Sequence, residues 1–324
     1  MTPGTLVLEP WLVFLVPRGD TFPYQRKPGS GAAEFSPLPD ATAGISVVQA
    51  VGLGGEALHS APEAASLESA PAPGADAKKP SLPEIPKPCS YLTPTNALVT
   101  PPQSAFDTAR KPVTTSEPKA ASALFPGSET YVPATRQTAE IGGSEVSIVS
   151  PVGGKATDAK TYLASVDQVA KSLAALPNKT LETIKEVVIS PNRNPSDSFW
   201  EKTYGMKDFR SAATGSADGV VTFYPSTFEQ PQADVDRLFA HEAGHTYSLP
   251  QWAANPASKA SWQTAMDADP FVPSKYAGSS IEEDFAESHA MYVASKGSPC
   301  ESTARKLYPN RYKALKSIYG PTKT

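Results

Sequence analysis

The chain has 324 residues and a formal net charge of −4, with acidic and basic residues mixed rather than grouped in long runs. This balance argues against nucleic acid or an anionic membrane as a partner. No stretch approaches the roughly eighteen apolar residues that a membrane-crossing helix needs. We therefore expect no membrane span, and we take a monomer as the working state.

Proline marks the expected domain boundary. Of the 34 prolines, 22 lie in residues 1–151 and 12 in the longer remainder. Residues 20–140 are rich in Pro, Ala, Ser and Gly and have few aromatic residues, so they bury too little apolar surface to offset the entropy of ordering. We predict that residues 1–155 are largely disordered and that residues 156–324 form one folded domain. Proline-rich patches could recruit proline-reading domains, but an unstructured spacer is the favoured interpretation.

Signals for a cellular compartment are weak. The apolar stretch near the start is interrupted by Glu9 and Pro10, and no basic residue precedes it, so it is a poor secretory signal. The two cysteines, Cys89 and Cys300, allow either one long-range disulfide or two free thiols.

Three segments after residue 156 predict the first elements of the folded domain. Residues 161–176 have apolar residues at helical spacing and end at Pro177. Residues 184–189 form a β-branched run that predicts a buried strand, and residues 219–224 predict a second strand that stops at Pro225. A mixture of helices and a small sheet, an α+β domain, is expected.

A longer helix is predicted for residues 232–249. Pro231 precedes it, and Asp234 and Asp236 suit the positive end of the helix dipole. Val235 and Phe239 begin an apolar stripe that continues at helical spacing.

The five residues 241–245, His-Glu-Ala-Gly-His, lie on this predicted helix. His241 and His245 are one turn apart, so both imidazoles project from the same face. Two neutral imidazoles at this spacing can hold a zinc ion, and Glu242 lies where a carboxylate can take a proton from a metal-activated water. The alternative is an ordinary amphipathic helix that happens to carry two histidines.

A catalytic zinc site needs a third protein ligand. Ser248 and Gln251 stand where a metzincin would have glycine and histidine, which excludes that class. Residues 280–294 predict a second helix, and on it Glu283 and Glu287 form a carboxylate pair one turn apart. One carboxylate can bind the metal and the other can accept the free ring N–H of a ligand histidine, and the spacing alone leaves open which does which.

Other residues near the motif have plainer interpretations. His289 lies on a different side of the predicted helix from Glu287, so we expect a surface or packing histidine. Trp252, Trp262 and Phe271 lie between the two predicted metal helices. They either fill the core or line a specificity pocket, and the core is favoured.

The combination of HEAGH with residues 276–287, Tyr-Ala-Gly-Ser-Ser-Ile-Glu-Glu-Asp-Phe-Ala-Glu, resembles the gluzincin peptidases. Within them it resembles the catalytic domain of anthrax lethal factor and its relatives. The resemblance implies a zincin-like fold, with Glu283 as the third zinc ligand and Glu287 as a supporting carboxylate toward His241. It also implies that the Tyr276 hydroxyl stabilises the developing oxyanion. In thermolysin-like enzymes the gap between the two helices is much shorter than the 38 residues from His245 to Glu283.

The expected function is a zinc-dependent endopeptidase whose partner is a protein or peptide substrate. One alternative is a secreted toxin or effector protease with a narrow host-protein substrate, which shares the chemistry and implies export or delivery to another cell. The other alternative is a non-catalytic scaffold with a proline-rich interaction region. In zincin-like folds the strand before the active helix commonly borders the cleft, as residues 219–224 would here, and an edge strand at that place can pair with an extended substrate.

Overall fold

A mixed β-sheet lies at the centre of the described part of the chain. The structure, a computed structural model, describes residues 81–94, 99–204 and 207–320. The predictions made for residues 1–80, including the weak secretory signal and most of the disordered region, lie outside the described residues.

In the described part of the chain, four strands precede residue 156: β1 (Val113–Thr115), β2 (Lys119–Ala123), β3 (Val132–Ile141) and β4 (Ser144–Pro151). All their pairings with one another are antiparallel, and β1 and β2 both pair with β3. The β3–β4 hairpin turns through Gly142 and Gly143, whose φ values of 57° and 89° are ones that glycine adopts without strain. Ile141, Val146 and Ile148 are fully buried.

Three shorter strands complete the sheet: β5 (Glu186–Ile189), β6 (Ala213–Gly215) and β7 (Val220–Phe223). The order across the sheet is β1-β3-β4-β5-β7-β6, and β4, β5 and β7 run parallel to one another. The two strands predicted from the sequence correspond to β5 and β7. The strand at residues 219–224 is not an edge strand, because β6 pairs antiparallel with β7 on its outer side, so β7 has no free edge for an extended substrate. All three residues of β6 are themselves buried.

The predicted domain boundary at residue 156 is also corrected. β4 pairs with β5 through Ser147–Glu186, Ile148–Val187 and Val149–Val188, so strands from both sides of the boundary share one sheet. Residues 99–155 therefore belong to the same folded body as the predicted catalytic domain. The prediction of disorder for 1–155 fails over this part.

Nine α-helices accompany the sheet in the described residues. The four that precede β7 are α1 (Gln103–Asp107), α2 (Val166–Ala175), α3 (Asn178–Leu181) and α4 (Asp197–Tyr204). Short 3-10 helices lie at Lys87–Leu92 and Val152–Gly154. The helix predicted for residues 161–176 begins later, because Ser165 and Gln168 form a capping box that fixes its first turn.

The remaining helices follow β7: α5 (Gln232–Ala254), α6 (Pro256–Ala268), α7 (Ile281–Ser295), α8 (Glu301–Leu307) and α9 (Pro309–Tyr319). Helix α5 continues through Pro250, five residues beyond the predicted end. Helix α7 matches its prediction, and its N-cap is Ser280, whose hydroxyl accepts a hydrogen bond from the Glu283 backbone N–H at 3.1 Å.

The two larger apolar clusters of the described residues hold most of these elements together. The larger cluster lies between the sheet and helices α2 and α5, with Phe223 and Phe239 stacked at a centroid distance of 5.6 Å. The second joins helices α5 to α9 with residues 85–92. A disulfide between Cys89 and Cys300 crosses the second cluster and resolves the choice left open by the sequence. The described chain is thus a mixed α+β fold, and none of its helices has both the length and the apolar character to cross a membrane.

Candidate metal centre

Helices α5 and α7 approach each other closely because Gly244 has no side chain. A Cβ atom at this position would lie only 2.8 Å from the Cα atom of Ala286 on α7. The glycine inside the HEAGH sequence therefore sets the distance between the two helices, a role that sequence analysis did not assign to it. The close crossing brings the carboxylates of α7 to the histidines of α5.

Three potential ligand atoms converge between these helices. The Nε2 atoms of His241 and His245 lie 3.2 Å apart. Oε2 of Glu283 lies 3.1 Å from Nε2 of His241 and 3.6 Å from Nε2 of His245. Both histidines are fully buried and Glu283 is 4% exposed. Within the described residues, this is the group of histidine, cysteine and acidic side chains whose geometry could hold a metal ion.

Glu287 occupies the other side of the His241 ring. Nδ1 of His241 lies 2.8 Å from Oε1 of Glu287. With Nδ1 bound to this carboxylate, Nε2 is the ring nitrogen that is directed at His245 and Glu283. Of the two carboxylates that the spacing could not tell apart, Glu283 joins the cluster and Glu287 supports His241.

Burial and charge act in opposite directions on the ionisable groups here. Burial lowers the pKa of His241, but hydrogen bonds with Glu283 and Glu287 outweigh burial and raise that pKa to about 10. Burial raises the pKa of Glu283, yet His245 and His241 bring it down to about 2. Burial lowers the pKa of His245, which favours the neutral imidazole that metal binding requires. Glu283 is thus held ionised, as a metal ligand must be.

The Glu242 carboxylate lies beside the cluster and is fully buried. Neither of its oxygens has a hydrogen bond of normal geometry within the described residues. Burial raises its pKa to about 8, against smaller lowering effects of His241 and the Gly215 backbone. A Cβ atom at Gly215 would overlap the backbone carbonyl of Glu242, so strand β6 supports this turn of α5 directly. A carboxyl group whose pKa lies near neutrality is suited to proton transfer.

Tyr276 also lies at this centre. Its ring centroid is 5.8 Å from that of His241, and its side chain is 8% exposed. The connector that carries it turns tightly: Ser274 accepts from the Ala277 N–H at 3.0 Å, and the Ser279 hydroxyl donates to the Tyr276 carbonyl at 2.7 Å. The six residues predicted to form the site therefore lie together: His241, Glu242, His245, Tyr276, Glu283 and Glu287.

The remaining predictions near the site concern packing. His289 is fully buried and contacts the Ala240 carbonyl through Nδ1 at 2.6 Å and Thr180 Oγ1 through Nε2 at 3.1 Å. It is a packing histidine, and the alternative of a surface position is wrong. Trp252 and Trp262 are buried in the second apolar cluster and Phe271 packs against it, as the favoured core interpretation predicted.

The donor set could hold a metal ion. Two imidazoles and one carboxylate are typical of zinc sites that leave a position open for water, whereas calcium and magnesium prefer oxygen donors alone. Glu287 supplies the outer contact that such histidine ligands almost always make. Comparison with protein-family models and with curated proteins finds no match to this chain.

Proposed function

We propose that this protein is a zinc-dependent endopeptidase. His241, His245 and Glu283 would hold the ion, with Glu287 orienting His241. The observation that carries the proposal is the convergence of three ligand atoms from α5 and α7 beside the buried carboxylate of Glu242. The combination is specific, because a structural metal site does not require an additional buried carboxylate beside its ligands.

The residues of the centre divide the proposed reaction among them. His241, His245 and Glu283 would hold the zinc ion, which would supply Lewis-acid chemistry and lower the pKa of a nearby water molecule. Glu242 takes the proton from the water, which then attacks the peptide carbonyl carbon, and passes this proton to the leaving amine as the carbon–nitrogen bond breaks. The Tyr276 hydroxyl donates a hydrogen bond to the oxygen that becomes negative. Glu287 holds the His241 ring in one tautomer throughout.

Export or delivery to another cell belongs to the same proposal. The buried Cys89–Cys300 disulfide supports it, because disulfides persist in oxidising compartments and are rare in the cytosol. A narrow host-protein substrate and a broader set of peptides are both compatible with this chemistry. Mapping the proteins cleaved in a complex mixture distinguishes them, since a narrow protease cuts one or a few proteins.

The test combines metal content with peptide cleavage. The wild-type protein should carry about one zinc ion per chain by elemental analysis. Glu242→Gln should keep the zinc and lose turnover by about a hundredfold or more, since removal of a general base costs about 10²–10⁴ in rate. His245→Ala should lose both the zinc and the turnover.

Glu282→Gln is a matched control, because Glu282 lies next to Glu283 in sequence but pairs with Lys259 at 2.6 Å. It should keep both zinc and activity. Full activity of Glu242→Gln would refute the mechanism. A wild-type chain without stoichiometric zinc would instead favour the non-catalytic scaffold.

A further inference from the structure

Arg311 on α9 joins the two segments that carry Glu283 and Tyr276. Its Nε and Nη2 atoms bind both oxygens of Asp284, at 2.8 and 2.7 Å. Asp284 is the residue next to Glu283 in the first turn of α7. Arg311 is 1% exposed and Asp284 is fully buried, so this ion pair lies inside the protein.

The same guanidinium also holds the connector between α6 and α7. Its Nη1 donates to the Phe271 carbonyl at 3.0 Å and to Oδ2 of Asp269 at 3.2 Å. Asp269 is the C-cap of α6 and also accepts the Arg311 backbone N–H at 3.0 Å. Tyr276 lies on this connector, a few residues after Phe271. One side chain thus fixes both ends of the segment that leads from α6 into α7.

A buried arginine with this set of partners requires an explanation beyond stability. Replacing a buried ion pair by apolar residues of similar size is often neutral or stabilising. The planar guanidinium, however, fixes several partners in one geometry, which a lysine or an apolar group cannot do. Here the partners belong to α6, to the connector and to α7.

We propose that Arg311 is a positioning residue of the metal centre. It keeps Glu283 and Tyr276 in the positions, relative to His241 and His245, that the proposed reaction needs. It acts through two arms. The Asp284 arm fixes the first turn of α7 and therefore the Glu283 carboxylate. The Asp269 arm, with the Phe271 carbonyl, fixes the connector and therefore Tyr276. The inference rests on the proposed zinc-dependent function.

The first experiment measures zinc affinity, by competition with a chelating dye, in full-length wild-type protein and in Arg311→Lys. Lysine keeps the charge but cannot bind both oxygens of Asp284. We expect zinc affinity to fall about 10–100-fold, the usual effect of losing a group that orients a metal ligand. The visible absorption of the cobalt-substituted protein should also change, because that band reports the arrangement of the ligands.

Arg193→Lys is the matched control. Arg193 donates to the buried carboxylate of Asp197 at 2.6 Å and to the Phe209 carbonyl, and neither partner belongs to α7 or to the connector; its side chain is more exposed than that of Arg311. Both variants should lose some stability, so zinc affinity is compared at a temperature where circular dichroism shows both folded. Equal zinc affinities and unchanged cobalt spectra would overturn the Asp284 arm.

A second variant tests the Asp269 arm and remains informative if Arg311→Lys does not fold. Asp269→Asn removes the charge opposite Arg311 and turns one acceptor oxygen into an NH2 group, so it weakens the contacts of Asp269 with Arg311 and Asn310. We expect kcat to fall about tenfold while zinc affinity and KM stay within about twofold of the wild type. In a Tyr276→Phe background the same change should have little further effect on kcat, because both act through the tyrosine. A full additional loss in that background would contradict the inference.

These outcomes separate the inference from the proposal on which it rests. If the wild-type chain binds no zinc, the zinc-dependent function itself fails. If it binds zinc and the Arg311 and Asp269 variants behave like Arg193→Lys, the function stands and the positioning role is wrong.

Discussion

Glu287 binds the ring nitrogen of His241 that points away from His245 and Glu283, with 2.8 Å between Oε1 and Nδ1. The contact spans two helices, since His241 belongs to α5 and Glu287 to α7. It fixes the orientation of the ring, so that Nε2 is the nitrogen that faces Glu283. The two glutamates of α7 therefore have separable effects on metal binding.

The first prediction concerns these two glutamates. Glu283→Ala should abolish zinc binding, because it removes one of three ligand atoms. Glu287→Gln keeps an acceptor oxygen but loses the charge, and it should weaken zinc affinity by about 10–100-fold. Isothermal titration of the metal-free proteins with zinc measures both effects. The reverse order of severity would show that the ligand and its support have been exchanged.

The second prediction concerns Gly244. Alanine favours a helix over glycine by about 1 kcal/mol, but its methyl group would meet the Ala286 Cα atom at 2.8 Å. Because this neighbour is backbone, α7 must shift as a whole, and overpacking of this kind costs about 1–3 kcal/mol. We expect Gly244→Ala to lower the free energy of unfolding in urea and to weaken zinc binding.

Ala286→Gly in the Gly244→Ala background serves as the control. It removes the Ala286 methyl group and leaves the obstructing Cα atom in place, so it should restore little of the lost stability or zinc affinity. A Gly244→Ala protein with higher stability and normal zinc affinity would show that α7 has room to adjust.

The third prediction concerns pH and His289. Burial lowers the pKa of His289 from 6.5 to about 4, since the buried ring is held neutral. The pKa of His289 is lower in the folded state than in the unfolded state. The contribution of the neutral ring to the free energy of unfolding is therefore complete above pH 6.5 and is lost as the pH falls toward 4. The full difference corresponds to about 3 kcal/mol, at 1.36 kcal/mol for each pKa unit.

The measurement compares urea unfolding of metal-free wild type and His289→Gln at pH 7 and at pH 4.5. Glutamine cannot take up the proton. The variant should be less stable at pH 7, because it disturbs contacts with Ala240 and Thr180. The difference in free energy of unfolding between the two proteins should be smaller at pH 4.5. A gap that is constant with pH would show that His289 titrates normally.

The fourth prediction concerns the disulfide. Cys89 and Cys300 are separated by 211 residues, so the crosslink closes a long loop in the unfolded chain. The double variant Cys89→Ser/Cys300→Ser should lose about 2–5 kcal/mol of stability, the usual range for native disulfides. Mass spectrometry after alkylation without reductant checks the bond itself, since alkylation does not modify cysteines that are joined in a disulfide. Equal thermal stability of the two proteins under non-reducing conditions would contradict the prediction.

The sequence was sufficient for the parts of the site that depend on local spacing. The helical period places His241 and His245 on one face, and it pairs Glu283 with Glu287 in the same way. The choice between the two glutamates came only from the resemblance to gluzincins. The structure brings Glu283 to the cluster, as that resemblance implied.

The missed features depend on contacts between distant segments. Strand β2 has the sequence Lys-Ala-Ala-Ser-Ala and β3 contains Pro133, so neither has the β-branched composition that marks a strand. They are held in the sheet by pairing with neighbours, which a composition average cannot detect. The partners of Arg311, Asp269 and Asp284, lie 42 and 27 residues away from it, and no local pattern links them.

The pairing of β4 with β5 decides how this protein can be shortened. A fragment that begins at residue 156 keeps every residue of the candidate metal centre but removes β1 to β4. One side of β5 would then present unpaired N–H and C=O groups, and strands of other copies of the fragment could pair with them. Such a fragment would be expected to aggregate on expression. The smallest workable piece is therefore set by the sheet, and it starts well before the first residue that touches the metal centre.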